Sequence, residues 1–201
     1  MKKISVLDRI LLLITGLLAA YQIVFGVEGA PPLATISYTI AFGVLLVAGL
    51  LIIIMGFEVL DSPWVVIIST IIPLSLSLGL VSEYAPRWTT AYLIFVIVGF
   101  LAVVITQLAT PGKPATFAVA IVHGIAGMLI FLLPIILSLR GDTPAGFALV
   151  GVGGALIGVG GLLLSFLKAG KPILSQKTIL TILPGLLLLM TAAFVAGFAM
   201  S

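Results

Sequence analysis

The sequence has no cysteine, and no asparagine occurs anywhere in its 201 residues. Without Cys there is no disulfide, no thiolate nucleophile, no iron–sulfur cluster and no cysteine zinc site. Without Asn there is no acceptor for N-glycosylation. Charge is scarce as well: 7% of residues are Asp, Glu, Lys or Arg, against about 25% in an ordinary soluble domain. With 62% hydrophobic residues and a mean hydropathy of +1.44, such a chain cannot cover a water-facing surface. It reads as an integral membrane protein. Histidine is represented once, by His123, and no acid–base pair or Ser-His-Asp set can be assembled around it. The chain is not expected to be an enzyme.

About 20 apolar residues cross a bilayer as a helix. That measure predicts an all-α protein of seven transmembrane helices over Leu7–Val27, Pro32–Gly56, Pro63–Val81, Trp88–Leu108, Pro114–Leu139, Ala145–Leu167 and Thr178–Met200. Lipid offers no partners for backbone polar groups, so helices are required, and the alternation of a barrel strand is missing. Met1, Lys2 and Lys3 ahead of an apolar run have the look of a secretory signal; the run is read as the first span. The net charge of +3 and pI near 9.4 suit the positive-inside rule better than nucleic acid, which would need a basic, aromatic groove. Lys2, Lys3, Arg9, Lys113, Lys168, Lys171 and Lys177 fall on one side of the seven spans, and Arg87 and Arg140 on the other. The expectation is a plasma (inner) membrane protein with its N-terminus inside and its C-terminus outside. Glu58 and Asp61 then share a solvated inner turn, and Glu28, Glu83 and Asp142 are external.

The sequence order is arranged around the fourth segment, Trp88–Leu108. Blocks of three segments flank it and align without a gap at an offset of 111. Gly16 falls on Gly127, Gly43 on Gly154, Gly49 on Gly160, Thr70 on Thr181 and Pro73 on Pro184. Fixed-period self-similarity is the mark of a duplicated unit. The chain is therefore read as one transmembrane domain: repeat one over residues 7–83, a linking helix over 88–108, and repeat two over 114–200. Matching helices start on the same side, so the repeats are parallel. This three-plus-one-plus-three layout resembles that of the SWEET sugar facilitators and, in span count, that of microbial rhodopsins. The sequence departs from both, because Gln22, Gln107 and Gln176 do not follow a proline and the charge asymmetry runs opposite to the SWEET group. The seventh segment offers Lys177 at its start, where a rhodopsin needs a lysine at mid-helix.

Few polar residues fall inside the spans, and five of them are the candidates to line a ligand pocket between the repeats: Gln22, Tyr38, Thr70, His123 and Thr181. Pro73 and Pro184, at equivalent repeat positions, and the unmatched Pro134 are expected to kink their helices. Paired interruptions of this kind point to a transport site, and an ordinary kink eased by the Thr70 or Thr181 hydroxyl is the plainer alternative. Span six is dense in glycine, and Gly154 and Gly158 form the GxxxG spacing that lets helix backbones pack closely. Gly170-Lys171-Pro172 lacks the Ser/Thr and upstream Gly of a phosphate-binding loop. His123 is a functional candidate by its depth, although a neutral imidazole bonded within the bundle would explain it. A haem on His123 would need Met55, Met128 or Met190 as axial partner, and the spacing selects none. No metal and no cofactor are expected.

No charged residue sits at a span centre, which argues against ion-coupled transport. Two functional classes stay open. One is a passive facilitator or binding protein for an apolar or weakly polar small molecule. The other is a non-catalytic subunit or assembly factor of a larger membrane complex. Expected partners are membrane lipids, and either other subunits or a second copy of the chain.

Overall fold

The computed structural model describes residues 2–168, 170 and 173–201. Lys171, one of the cations used to orient the chain, and Pro172 lie outside the described residues. Seven α-helices are long and apolar enough to cross a membrane: α1 (Val6–Phe25), α2 (Pro32–Met55), α3 (Pro63–Tyr84), α4 (Thr89–Ala109), α5 (Lys113–Arg140), α6 (Ala148–Lys168) and α7 (Gln176–Phe198). Short 3-10 turns at Phe57–Asp61, Pro86–Trp88 and Ala145–Phe147 precede α3, α4 and α6.

Local chemistry sets the ends. Ser5 caps α1 by accepting from the Asp8 N–H, while the Asp8 carboxylate accepts from the Ser5 N–H, so two orphan donors are satisfied reciprocally. Pro32 and Pro63 open α2 and α3, where a missing N–H costs nothing. Gly141 ends α5 in the left-handed region at φ 76, with the Asp142 N–H on the Leu137 carbonyl, the closure that glycine makes cheaply.

In space α1 packs on α2, α2 on α3, α3 on α5, α5 on α6, α6 on α7, and α7 returns to α1. These six helices close a ring, and α4 stands outside it against α3 and α5. The segment at the centre of the sequence is thus at the edge of the bundle. Among its residues only Gly99 and Val103 are buried. The hub is α3, buried without interruption from Ile72 to Ser82.

Side chains fill the ring. At the end away from the N-terminus, Tyr38, Phe42, Phe147, Phe194 and Phe198 meet in one apolar cluster. The rings of Phe42 and Phe194 stand edge-to-face at 6.4 Å, a geometry aromatic quadrupoles favour. At the N-terminal end Leu12, Ile52, Phe57, Leu180 and Leu183 form a smaller cluster. Buried hydroxyls are handled locally: Thr15, Thr70, Ser77 and Thr191 each donate to the carbonyl four residues back in their own helix. Such back-bonding satisfies the group where no water is at hand. Each of α3, α5 and α7 runs on through its internal proline, so Pro73, Pro134 and Pro184 do not break their helices into separate pieces.

Lipid tails are as apolar as leucine, so helices in a membrane associate through close packing rather than hydrophobic force. Helix α6 shows how. A Cβ built on Gly151 would come 2.6 Å from the Phe131 carbonyl oxygen, and one on Gly154 would come 2.9 Å from the Ile130 carbonyl carbon. Both glycines therefore lie against the α5 backbone. Gly153 faces Phe194 of α7, and Gly160 faces Leu186. Gly158 has open space around it and is exposed, so Gly154 and Gly158 do not act as one packing pair inside the chain.

Candidate functional site

The five candidate lining residues sit in separate surroundings. Gln22, 4% exposed, donates from Nε2 to the Gly26 carbonyl at 2.6 Å and so closes the end of α1. Tyr38, 2% exposed, donates its hydroxyl to Glu83 Oε2 at 2.7 Å and rests its ring on Phe198 at 4.6 Å between centroids. Thr70 is fully buried in α3 and bonds the Val66 carbonyl. Its repeat counterpart Thr181 makes the same bond, to Lys177, but on the exposed side of α7. His123 is half-buried, and its Nδ1 lies 3.1 Å from the Val119 carbonyl of its own helix. Protonated at Nδ1 it donates there, which leaves Nε2 as an acceptor. Gln22 and Tyr38 belong to the half of the bundle away from the N-terminus; Thr70, Thr181 and His123 belong to the other.

Because the His123 bond stays within α5, His123→Ala is expected to change the unfolding free energy by less than about 1 kcal/mol. An SDS titration followed by circular dichroism checks this. A loss of several kcal/mol would instead assign His123 an interhelical partner.

Among the described residues two grooves stand beside α4, and none of the five candidates lines either. The larger, of about 440 Å³, runs between α4 and α5 along Ala91, Phe95, Gly99, Ala102, Ala118 and Val122. The other, of about 330 Å³, lies among α3, α4 and α5 and includes Trp88, Tyr92 and Leu133. Their walls are almost wholly apolar. Among the described residues one side-chain hydrogen bond, Tyr92 Oη to Ser77 Oγ at 2.8 Å, ties α4 to α3.

The structure also brings together residues that the sequence reading passed over. Helix α3 runs three residues beyond the expected end at Val81, and this places Glu83 in the helix, half-buried, rather than in an external connection. At the opposite end Asp8, 3% exposed, holds Lys2 at 2.8 Å in the one ion pair among the described residues. A sequence signal for Asp8 existed in Ser5-x-x-Asp8, a capping-box spacing with a lysine three residues ahead of it. The Leu180 carbonyl, to which Pro184 has no N–H to give, lies 3.4 Å from Lys2 Nζ. Thr181 was the sequence candidate for easing that proline, but its hydroxyl is turned to Lys177. Among the described residues no three His, Asp or Glu side chains gather closely enough to hold a metal ion.

A scan against protein-family models finds no match for this chain, and neither does a search of curated proteins or of solved structures.

Proposed function

We propose that the protein is a non-catalytic subunit or assembly scaffold of a larger membrane complex, with the α4–α5 face turned toward a transmembrane helix of a partner. One observation carries this reading: the polar side chains are spent inside single helices or on single ties between neighbouring helices, and do not converge on one cavity, while a small-residue groove opens on the outside. The groove is floored by Gly99, Ala102 and Ala118, and small residues are what allow a second backbone to approach in lipid. The test is native mass spectrometry of tagged protein extracted gently from its own membrane. A stoichiometric membrane-protein partner is expected. Ala102→Trp, which fills the groove, should release that partner, while Val47→Trp on the exposed side of α2 should not. Recovery of a monomer or a homo-oligomer alone would overturn the reading.

A second reading, a passive facilitator for an apolar or weakly polar small molecule, draws on the arrangement of the helices. First-on-second and second-on-third contacts recur in α1–α3 and α5–α7, and the third helix of each unit meets the first of the other. That pattern supports two parallel repeats around a pseudo-two-fold axis along the membrane normal. Pro73 and Pro184 then sit at equivalent places beside the two seams. Here His123→Ala should abolish ligand binding, and unchanged binding would remove His123 from the site. For either reading the membrane is the plasma (inner) membrane with the N-terminus inside. Lys2, Lys3, Arg9, Lys113 and Lys177 at one end against Arg87 and Arg140 at the other support this orientation.

A further inference from the structure

The ion pair at the N-terminal end is built like a ligand site rather than a surface contact. Lys2 Nζ lies 2.9 Å from Asp8 Oδ1, 2.8 Å from Oδ2 and 3.4 Å from the Leu180 carbonyl oxygen. It also stands 5.3 Å from the centroid of the Phe57 ring. A primary ammonium has three N–H groups and no acceptor, and here three oxygen acceptors face it with an aromatic surface alongside. The walls come from three parts of the fold. Asp8 is held on α1 by the Ser5 N–H, which it accepts at 2.8 Å. Phe57, 1% exposed, comes from the turn after α2. The carbonyl belongs to α7 and is available because Pro184 carries no N–H. The occupant arrives on residues 2–5, an arm with no regular secondary structure. Carboxylate, helix-interior carbonyl and ring thus belong to the helices and turn of the bundle, and the cation is carried on the arm that precedes α1.

We propose that the cradle of Asp8, the Leu180 carbonyl and Phe57 is a recognition site for a primary ammonium group, which the chain fills with its own Lys2. When Lys2 is displaced, an amine of the same chemistry takes the place, either a free alkylammonium or the ammonium of an ethanolamine lipid headgroup. The site discriminates by donor count: a quaternary ammonium has no N–H for the three oxygens, whereas a primary ammonium has one for each. The site also joins α1 to α7, the contact by which the last helix returns to the first.

The experiment uses the full chain carrying Lys2→Ala in phosphatidylcholine nanodiscs. Its unfolding temperature is titrated with propylammonium chloride against tetramethylammonium chloride at equal ionic strength. A saturable rise of several degrees with propylammonium alone is expected, as for any ligand that binds only the folded state. Asp8→Asn added to Lys2→Ala should abolish the rise. In phosphatidylethanolamine nanodiscs a temperature already raised without added amine would identify the lipid headgroup as the occupant. If neither propylammonium nor phosphatidylethanolamine shifts the variant, the proposal fails. A second measurement needs no variant: in the wild-type protein Lys2 should be reductively methylated roughly tenfold more slowly than the exposed Lys3, the protection expected of charge-assisted hydrogen bonds. Equal rates would show that the cradle does not hold Lys2.

Discussion

Leucine at Gly154 is expected to lower the unfolding free energy by about 3 kcal/mol or more, the upper range for overpacking. The reason is what the new side chain would meet. The Cβ alone would stand 2.9 Å from the Ile130 carbonyl carbon and 2.9 Å from the Phe131 amide nitrogen. These are backbone atoms and cannot rotate aside, so α5 and α6 would have to separate. Gly151, three residues earlier, presses on the same stretch of α5, and separation at one glycine opens the contact at the other. Alanine at 154 should fall between wild type and leucine. Gly158→Leu is the matched control, because nothing lies within 4 Å of its Cβ position; about 0.5 kcal/mol or less is expected. SDS titration followed by circular dichroism reads all three. Equal effects at 154 and 158 would mean that α6 does not present this face to α5.

This pair of glycines shows where the sequence stops being informative. The seven spans are legible because each is a long apolar run, and their ends agree with the structure to within three residues. Which way a helix faces is a different matter. In a soluble helix the apolar stripe marks the buried side, but here α4 and α6 are apolar all round and lipid accepts every face. The spacing of Gly154 and Gly158 suggests one packing surface, yet the face toward α5 is made by Gly151 and Gly154, and that toward α7 by Gly153 and Gly160. Only the positions of α5 and α7 decide this. Thr70 and Thr181 match in the sequence and make the same local bond, but one is buried in the hub helix and the other is exposed. Falling hydropathy at Ser82, Glu83 and Tyr84 suggests that span three ends at Val81. The partner that keeps Glu83 half-buried in the helix, Tyr38, is 45 residues away, beyond the reach of any local pattern. Asp8 and Lys2 were legible in part, since capping is local, but the Leu180 carbonyl that completes their cluster lies 178 residues from Lys2.

Alanine at Gly79 is expected to destabilise the bundle by about 2 to 3 kcal/mol, against the usual sign. In an ordinary helix interior the change from glycine to alanine gains about 1 kcal/mol. Gly79 is different because the Tyr38 ring lies directly over it: a Cβ there would overlap three ring carbons. The ring has nowhere to move. Its hydroxyl is held 2.7 Å from Glu83 Oε2, its face rests on Phe198, and the residue is 2% exposed. Accommodating a methyl group would tilt Tyr38 away from the carboxylate. A hydrogen bond to a charged group contributes about 1.5–3 kcal/mol, so the packing defect and the lost bond add. The two causes separate in a double-mutant cycle. Tyr38→Phe removes the hydroxyl and keeps the ring, so Gly79→Ala should still be costly on that background. Tyr38→Leu removes the rigid ring, and on that background alanine at 79 should cost little or stabilise, a coupling of about 1 to 3 kcal/mol between residues in contact. Stabilisation by Gly79→Ala in the wild-type background would show that Tyr38 does not lie on α3. The seam between α2 and the hub helix would then have to be held by other residues.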